Sequence, residues 1–110
     1  MNLIEIQDLV FEEYKKNKYL EMWQSEKGTY SQEQKIKDLA ELGLIITEIS
    51  ESMEEIRKKD YVFHDLAIEC SDIIIRVLNF MSRKNLDAEY FILLKNEVNT
   101  KREKLHGKGV

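Results

Sequence analysis

The sequence has no proline, only four glycines and a single cysteine in 110 residues. Hairpins and tight turns draw on proline and glycine for their backbone angles, so their scarcity argues against a strand-rich fold and for helices. Cys70 has no partner for an internal disulfide or a metal knuckle, the usage of a reducing compartment, and a cytoplasmic location is expected. Long apolar runs are also missing. Glu5, Asp8, Glu12 and Glu13 break up the first twenty residues, so neither a membrane span nor a signal peptide is expected. What is present is 43% hydrophobic and 9% aromatic residues, enough for one domain over residues 1–110.

The net charge of −4 is unevenly distributed. From Lys95 onward, Lys95, Lys101, Arg102, Lys104 and Lys108 stand against Glu97 and Glu103, a net of +3 that leaves −7 for residues 1–94. Cations near a helix C-terminus suit the helix dipole, which accounts for part of this basic end. An acidic body repels phosphate backbones, so nucleic acid is not an expected partner.

Apolar residues at helical spacing predict four helices. The first covers residues 3–23, and the stretch SEKGTYS ends it. Ser31 with Gln34 has the form of a capping box and starts the second, which runs to about Lys59. Leu42, Ile45, Ile46, Ile49, Met53 and Ile56 form one stripe on it, expected to face a core. Asp60 is the expected cap of a third helix over 61–83, and Asp87 of a fourth over 88–104, with 105–110 a frayed tail. Four amphipathic helices with short connections predict an all-α four-helix bundle. On the third helix Leu66, Cys70, Ile73, Ile74, Val77 and Met81 cover one broad face and Ile68 and Ile75 another, which predicts a subunit interface.

Glu48 and Glu51 stand at i and i+3 on the second helix with Glu55 extending the row, and Glu69 and Asp72 repeat the spacing on the third. Such pairs lie about 5–6 Å apart at Cβ, close enough to share a hard cation. Acidic pairs are common on solvated faces, but Glu69 and Asp72 fall within the apolar run LAIECSDIII, where charge is costly. Unneutralised, the cluster repels itself, so it reads as a site for Mg²⁺ or Mn²⁺. Di-iron bundles need Glu-x-x-His pairs, and the sole histidines are His64 and His106, so iron is not expected.

The segments ELGLIITEISESMEEIR and IECSDIIIRVLNF, followed by KNEVNTKREKLHGK, resemble the MazG-like members of the all-α nucleoside triphosphate pyrophosphohydrolases. The likeness covers most of the chain. It implies a four-helix bundle of that family's type, with Glu48, Glu51, Glu69 and Asp72 as Mg²⁺ ligands and Lys95, Asn99, Arg102 and Lys108 on the triphosphate. His106 and Gly107 belong to the same closing segment, and Asn79 matches a position held by Asn or Asp in relatives. Many relatives carry proline after the tail arginine, where this chain has Glu103.

The function these residues imply is hydrolysis of a nucleoside triphosphate, NTP or dNTP, to the monophosphate and pyrophosphate by a homodimer or homotetramer. Glu48 or Glu51 is the expected catalytic base or water-orienting carboxylate. The alternative is a non-catalytic helical adaptor that keeps the bundle and docks a partner on its second apolar face. Trp23, Tyr19 and Tyr30 lie near the first loop but are assigned no base-reading role.

Overall fold

The computed structural model describes the backbone of residues 1–106 and the side chains of residues 1–102. These form five helices: α1 (Leu3–Lys16), α2 (Tyr19–Trp23), α3 (Gln32–Arg57), α4 (Phe63–Arg83) and α5 (Ala88–His106). No strand occurs among the described residues, and none of their helices is long and apolar enough to cross a membrane.

The expected first helix is two. Lys18 takes a left-handed conformation at φ 63°, which no α-helix continues through, and α2 restarts behind it. The polar run KKNK supplies no apolar contact that would hold the chain straight. Asn17 closes α1, its side-chain amide donating to the Glu13 carbonyl at 3.0 Å. The start of α1 carries a full capping box between Asn2 and Glu5.

Ser31 caps α3 by accepting from the Gln34 N–H at 3.1 Å, but the reciprocal half of the box is absent. Gln34 is completely buried, and its side chain instead accepts from the Ser25 N–H and donates to the Trp23 carbonyl and Asp38. It fastens the α2–α3 loop to α3. Asp60 does not cap α4; it lies in the preceding turn, and Val62 occupies the cap position without a side-chain bond. Asp87 caps α5 as its residue type predicts, accepting from the Tyr90 N–H at 3.1 Å.

Among the described residues the buried apolar ones are few: Tyr14, Ile45, Leu78 and Ala88. Polar ones fill much of the interior. Tyr14 Oη donates to Glu41 Oε2 at 2.6 Å, and Arg83 Nε donates to Glu41 Oε1 at 2.9 Å. Arg83 Nη2 reaches Asp38 Oδ1 at 2.7 Å, and Lys84 Nζ reaches Asp38 Oδ2 at 2.7 Å. Burial raises the Tyr14 hydroxyl pKa, and the neighbouring Glu41 carboxylate raises it further. Buried ionic networks add little net stability but penalise every register that separates their members. This one fixes α3 against α4 and α1. A second polar clasp closes the other side, where Gln7 donates to Ser82 Oγ and the Leu86 carbonyl and accepts from the Ala88 N–H, each at 2.9 Å.

The stripe on α3 does not face this interior. Gln34, Glu41, Ile45, Ser52 and Glu55 are its buried residues, whereas Leu42, Ile46, Ile49, Met53 and Ile56 are exposed. Only Ile45 of the expected stripe reaches the core, because the ion pairs to α4 set the rotation of the helix. Likewise Ile74 and Val77, on the broad apolar face of the third predicted helix, are exposed.

Candidate functional site

The pairings Glu41–Arg83 and Glu48–Arg76 run in opposite sequence directions, so α3 and α4 are antiparallel neighbours. Antiparallel packing in this register brings the two acidic rows together. A carboxylate oxygen of each of Glu48, Glu51 and Glu69 lies within 4.8 Å of the others. Asp72 joins through Arg76, whose Nη2 is 3.1 Å from Glu48 Oε1 and whose Nε is 3.4 Å from Asp72 Oδ2. Three of the four carboxylates inferred from the spacing therefore converge directly, and Asp72 lies beside Glu48 across Arg76.

Their environments differ. The Glu48 side chain is only 14% exposed, while that of Asp72 is 45% exposed. Burial raises the Glu48 pKa, the carboxyl of Asp72 raises it further, and Arg76 opposes the rise. Glu55, the next in the α3 row, is buried and held by Lys58 at 2.8 Å, so it is already neutralised. The remaining set could hold a divalent cation, since its donors are hard carboxylate oxygens close together, although Arg76 already pairs with Glu48 and Asp72 and would compete with it.

Two concavities flank the cluster. One, of about 360 Å³, is bounded by Asp72, Arg76 and Asn79 on α4, Tyr14 on α1, Tyr19 and Trp23 on α2, and Leu44 on α3. Asn79 is 7% exposed, and its Oδ1 is buried without a hydrogen-bond partner. The other, of about 410 Å³, is polar and includes Glu51, Glu69 and Lys58. The cluster thus sits between an aromatic-walled pocket and an open acidic one.

Among the described residues, the basic side chains of α5 are not brought to the carboxylates within one chain. Lys95 and Arg102 are exposed and Asn99 is half-buried, and among the described residues none of the three pairs with the cluster. Asn99 Oδ1 is, like that of Asn79, buried and unpartnered. Lys108 lies outside the described residues. His64 is exposed on the first turn of α4 beside Asp65 at 3.5 Å, away from the cluster.

Sequence reasoning missed Arg76 and the pocket. Arg76 was detectable as the cation one turn after Asp72, the i, i+4 position from which it reaches back. The pocket was not, since four helices contribute its wall.

No protein family, curated protein or solved structure matches the chain, so the likeness described above rests on the motifs alone.

Proposed function

We propose that the chain is a Mg²⁺-dependent nucleoside triphosphate pyrophosphohydrolase of the MazG-like, all-α type, acting in the cytoplasm. The observation that carries this reading is the convergence of Glu48, Glu51 and Glu69 within 4.8 Å, beside Asp72, which itself lines an aromatic-walled pocket. Glu48, Glu51, Glu69 and Asp72 would hold Mg²⁺, or Mn²⁺ in its place. Bound there, the cation would polarise phosphoryl oxygens and lower the pKa of a coordinated water.

The chain's own residues account for the rest. Glu48 or Glu51 orients a water and takes its proton as the water oxygen bonds to the α-phosphorus and the bond to the bridging oxygen breaks. Pyrophosphate departs with that oxygen, and the nucleoside monophosphate stays behind. Lys95, Asn99, Arg102 and Lys108 are assigned to the charge building on the leaving group by the resemblance alone, since the first three do not reach the carboxylates within one chain; Lys and Arg donors are most effective there. The 360 Å³ pocket takes the nucleoside, with Tyr19 and Trp23 as apolar walls and Asn79 as its unpaired polar group.

The test is a panel of NTPs and dNTPs with Mg²⁺, with products separated. Monophosphate plus pyrophosphate is the expected pair; diphosphate plus phosphate, or no turnover, contradicts the reading. A second reading, a non-catalytic helical adaptor, draws on the exposed apolar residues of α3 and α4. Magnesium-dependent pyrophosphate release separates the two.

A further inference from the structure

Two arginines stand seven residues apart on one face of α4, and they are held very differently. Arg83 is locked. Its side chain is fully buried, its Nε donates to Glu41 Oε1 at 2.9 Å, and its Nη2 lies 2.7 Å from Asp38 Oδ1 and 2.8 Å from Glu41 Oε1. Arg76 is 39% exposed and divides its contacts between two carboxylates, with Nη2 3.1 Å from Glu48 Oε1 and Nε 3.4 Å from Asp72 Oδ2. Charge-assisted N–H···O bonds are ordinarily about 2.7–2.9 Å and are strongest as a parallel pair to one anion. Neither contact of Arg76 uses the guanidinium fork in that way.

Arg76 also stands where two parts of the site meet. Asp72, Arg76 and Asn79 recur at i, i+4 and i+7 and line the aromatic-walled pocket together, while Arg76 reaches out of it to Glu48 of the acidic cluster. A nucleoside in that pocket has its α-phosphate on the side of the carboxylates, which is the side Arg76 occupies. Charge gives the phosphate a reason to need it. Glu48, Glu51, Glu69 and Asp72 with Arg76 carry a net −3, and one divalent cation still leaves the set negative toward a triphosphate. Lys58 is taken by Glu55 at 2.8 Å, and among the described residues Lys95 and Arg102 do not pair with the cluster.

From this we infer that Arg76 is a substrate-binding residue that exchanges partners: it pairs with Glu48 and Asp72 while the carboxylates hold no cation, and donates to the α-phosphate once they do. The inference rests on the nucleotide reading proposed above and adds to it a phosphate ligand within the same chain. A guanidinium suits the task because its planar fork matches two phosphoryl oxygens and stays charged at every working pH. The exchange keeps the site near neutral in both states, since the charge that offsets the bare carboxylates is released to the phosphate when a cation replaces it.

The probes are the nucleotide cleaved best in the NTP and dNTP panel, its α,β-imido analogue, which resists cleavage at that bond, and its monophosphate. At saturating Mg²⁺, Arg76→Gln should bind the analogue about ten- to hundredfold more weakly in calorimetric titration and lose kcat/KM by at least as much, as withdrawal of a charge-assisted donor does. The monophosphate, which carries the α-phosphate alone, should lose the same factor. Arg76→Lys keeps the charge without the fork, protects the fold against carboxylate repulsion, and should fall between the two. Mn²⁺ uptake without nucleotide should not weaken in Arg76→Gln, so the loss is not one of metal. If Arg76 only screens the carboxylates, Arg76→Gln melts lower yet binds and cleaves the nucleotide as the native chain does; that result overturns the inference and leaves the pyrophosphohydrolase reading standing. A loss seen with the analogue but not with the monophosphate moves Arg76 to a later phosphate and overturns the assignment. A native chain that cleaves no member of the panel defeats the nucleotide reading, and this inference with it.

Discussion

Arg76 bridges the two acidic rows, with Glu48 Oε1 3.1 Å from its Nη2 and Asp72 Oδ2 3.4 Å from its Nε. One guanidinium thus offsets part of the repulsion among four carboxylates, and it competes with any cation those carboxylates bind. The Arg76 side chain is 39% exposed, so solvent screens the contact and its worth is about 0.5–1 kcal/mol. Arg76→Gln should therefore bind Mn²⁺ about two- to fivefold more tightly than the native chain in calorimetric titration. Both proteins should melt higher with the metal than without it, by mass action on the folded state. Glu69→Gln should reduce that rise. A native chain that takes up no Mn²⁺ sinks the metal site and the proposed chemistry with it.

Asn79 gives a prediction in which stability and binding move in opposite directions. Its Oδ1 is buried without a partner at the wall of the aromatic pocket. A buried acceptor left unsatisfied is a cost to the folded state, of the order of 1 kcal/mol or more. The nearly isosteric Asn79→Leu should raise the melting temperature. If the pocket takes the nucleoside, the same change removes a substrate hydrogen bond worth about 0.5–1.5 kcal/mol, a two- to twelvefold loss in kcat/KM. A variant that is more stable and equally active would place the nucleoside elsewhere.

The local signals were legible in the sequence because they act over one helical turn. Asp87 and Ser31 cap the helices their spacing predicts, and Glu48, Glu51 and Glu69 of the acidic rows do come within 4.8 Å of one another. The orientation of α3 was not legible, since the Glu41–Arg83 pair that fixes it joins residues 42 positions apart. Apolar spacing located the stripe but not its partner, and the chain turns that stripe outward. Lys18 broke the first helix at a left-handed residue that is not glycine, the commonest residue type there. Asp60 had the right chemistry for a cap but lies in the turn before α4, where side-chain type alone does not decide the boundary.

Asp38 ties the buried network to pH. Burial opposes its ionisation, but Lys84, Arg83 and Gln34 donate to its carboxylate and hold its pKa below the ordinary 3.8. A lowered folded-state pKa means the unfolded chain takes up this proton first as pH falls. The stabilisation is therefore present above the ordinary value and is lost as pH falls through it toward the folded-state value. Urea midpoints of the native chain should decline over that acid range. Asp38→Asn should abolish this part of the decline and cost about 3 kcal/mol at neutral pH, the low end for breaking a buried pair because Glu41 still faces Arg83. An unaltered acid slope in the variant would assign the decline to other carboxylates.

Arg102 distinguishes two explanations of the basic end of α5. Lys95, Asn99 and Arg102 recur at i, i+4 and i+7 and so share one face of the helix. If that face meets the phosphates, Arg102→Ala removes a charge-assisted donor where charge develops. Turnover efficiency should then fall by about 2–4 kcal/mol in transition-state terms, several tens- to several hundredfold or more, with the melting temperature nearly unchanged. If the cations only complement the helix dipole, the same change should lower stability by about 0.3–1 kcal/mol and leave hydrolysis intact. Truncation after Leu105 provides an independent arm, because it removes Lys108 while leaving Ala88, the buried anchor of α5, in place. Paired kinetic and thermal measurements on both variants decide the matter. Full activity in both would show that the basic end is no phosphate clamp, even where Mg²⁺ dependence and the loss in Glu69→Gln establish the carboxylate site.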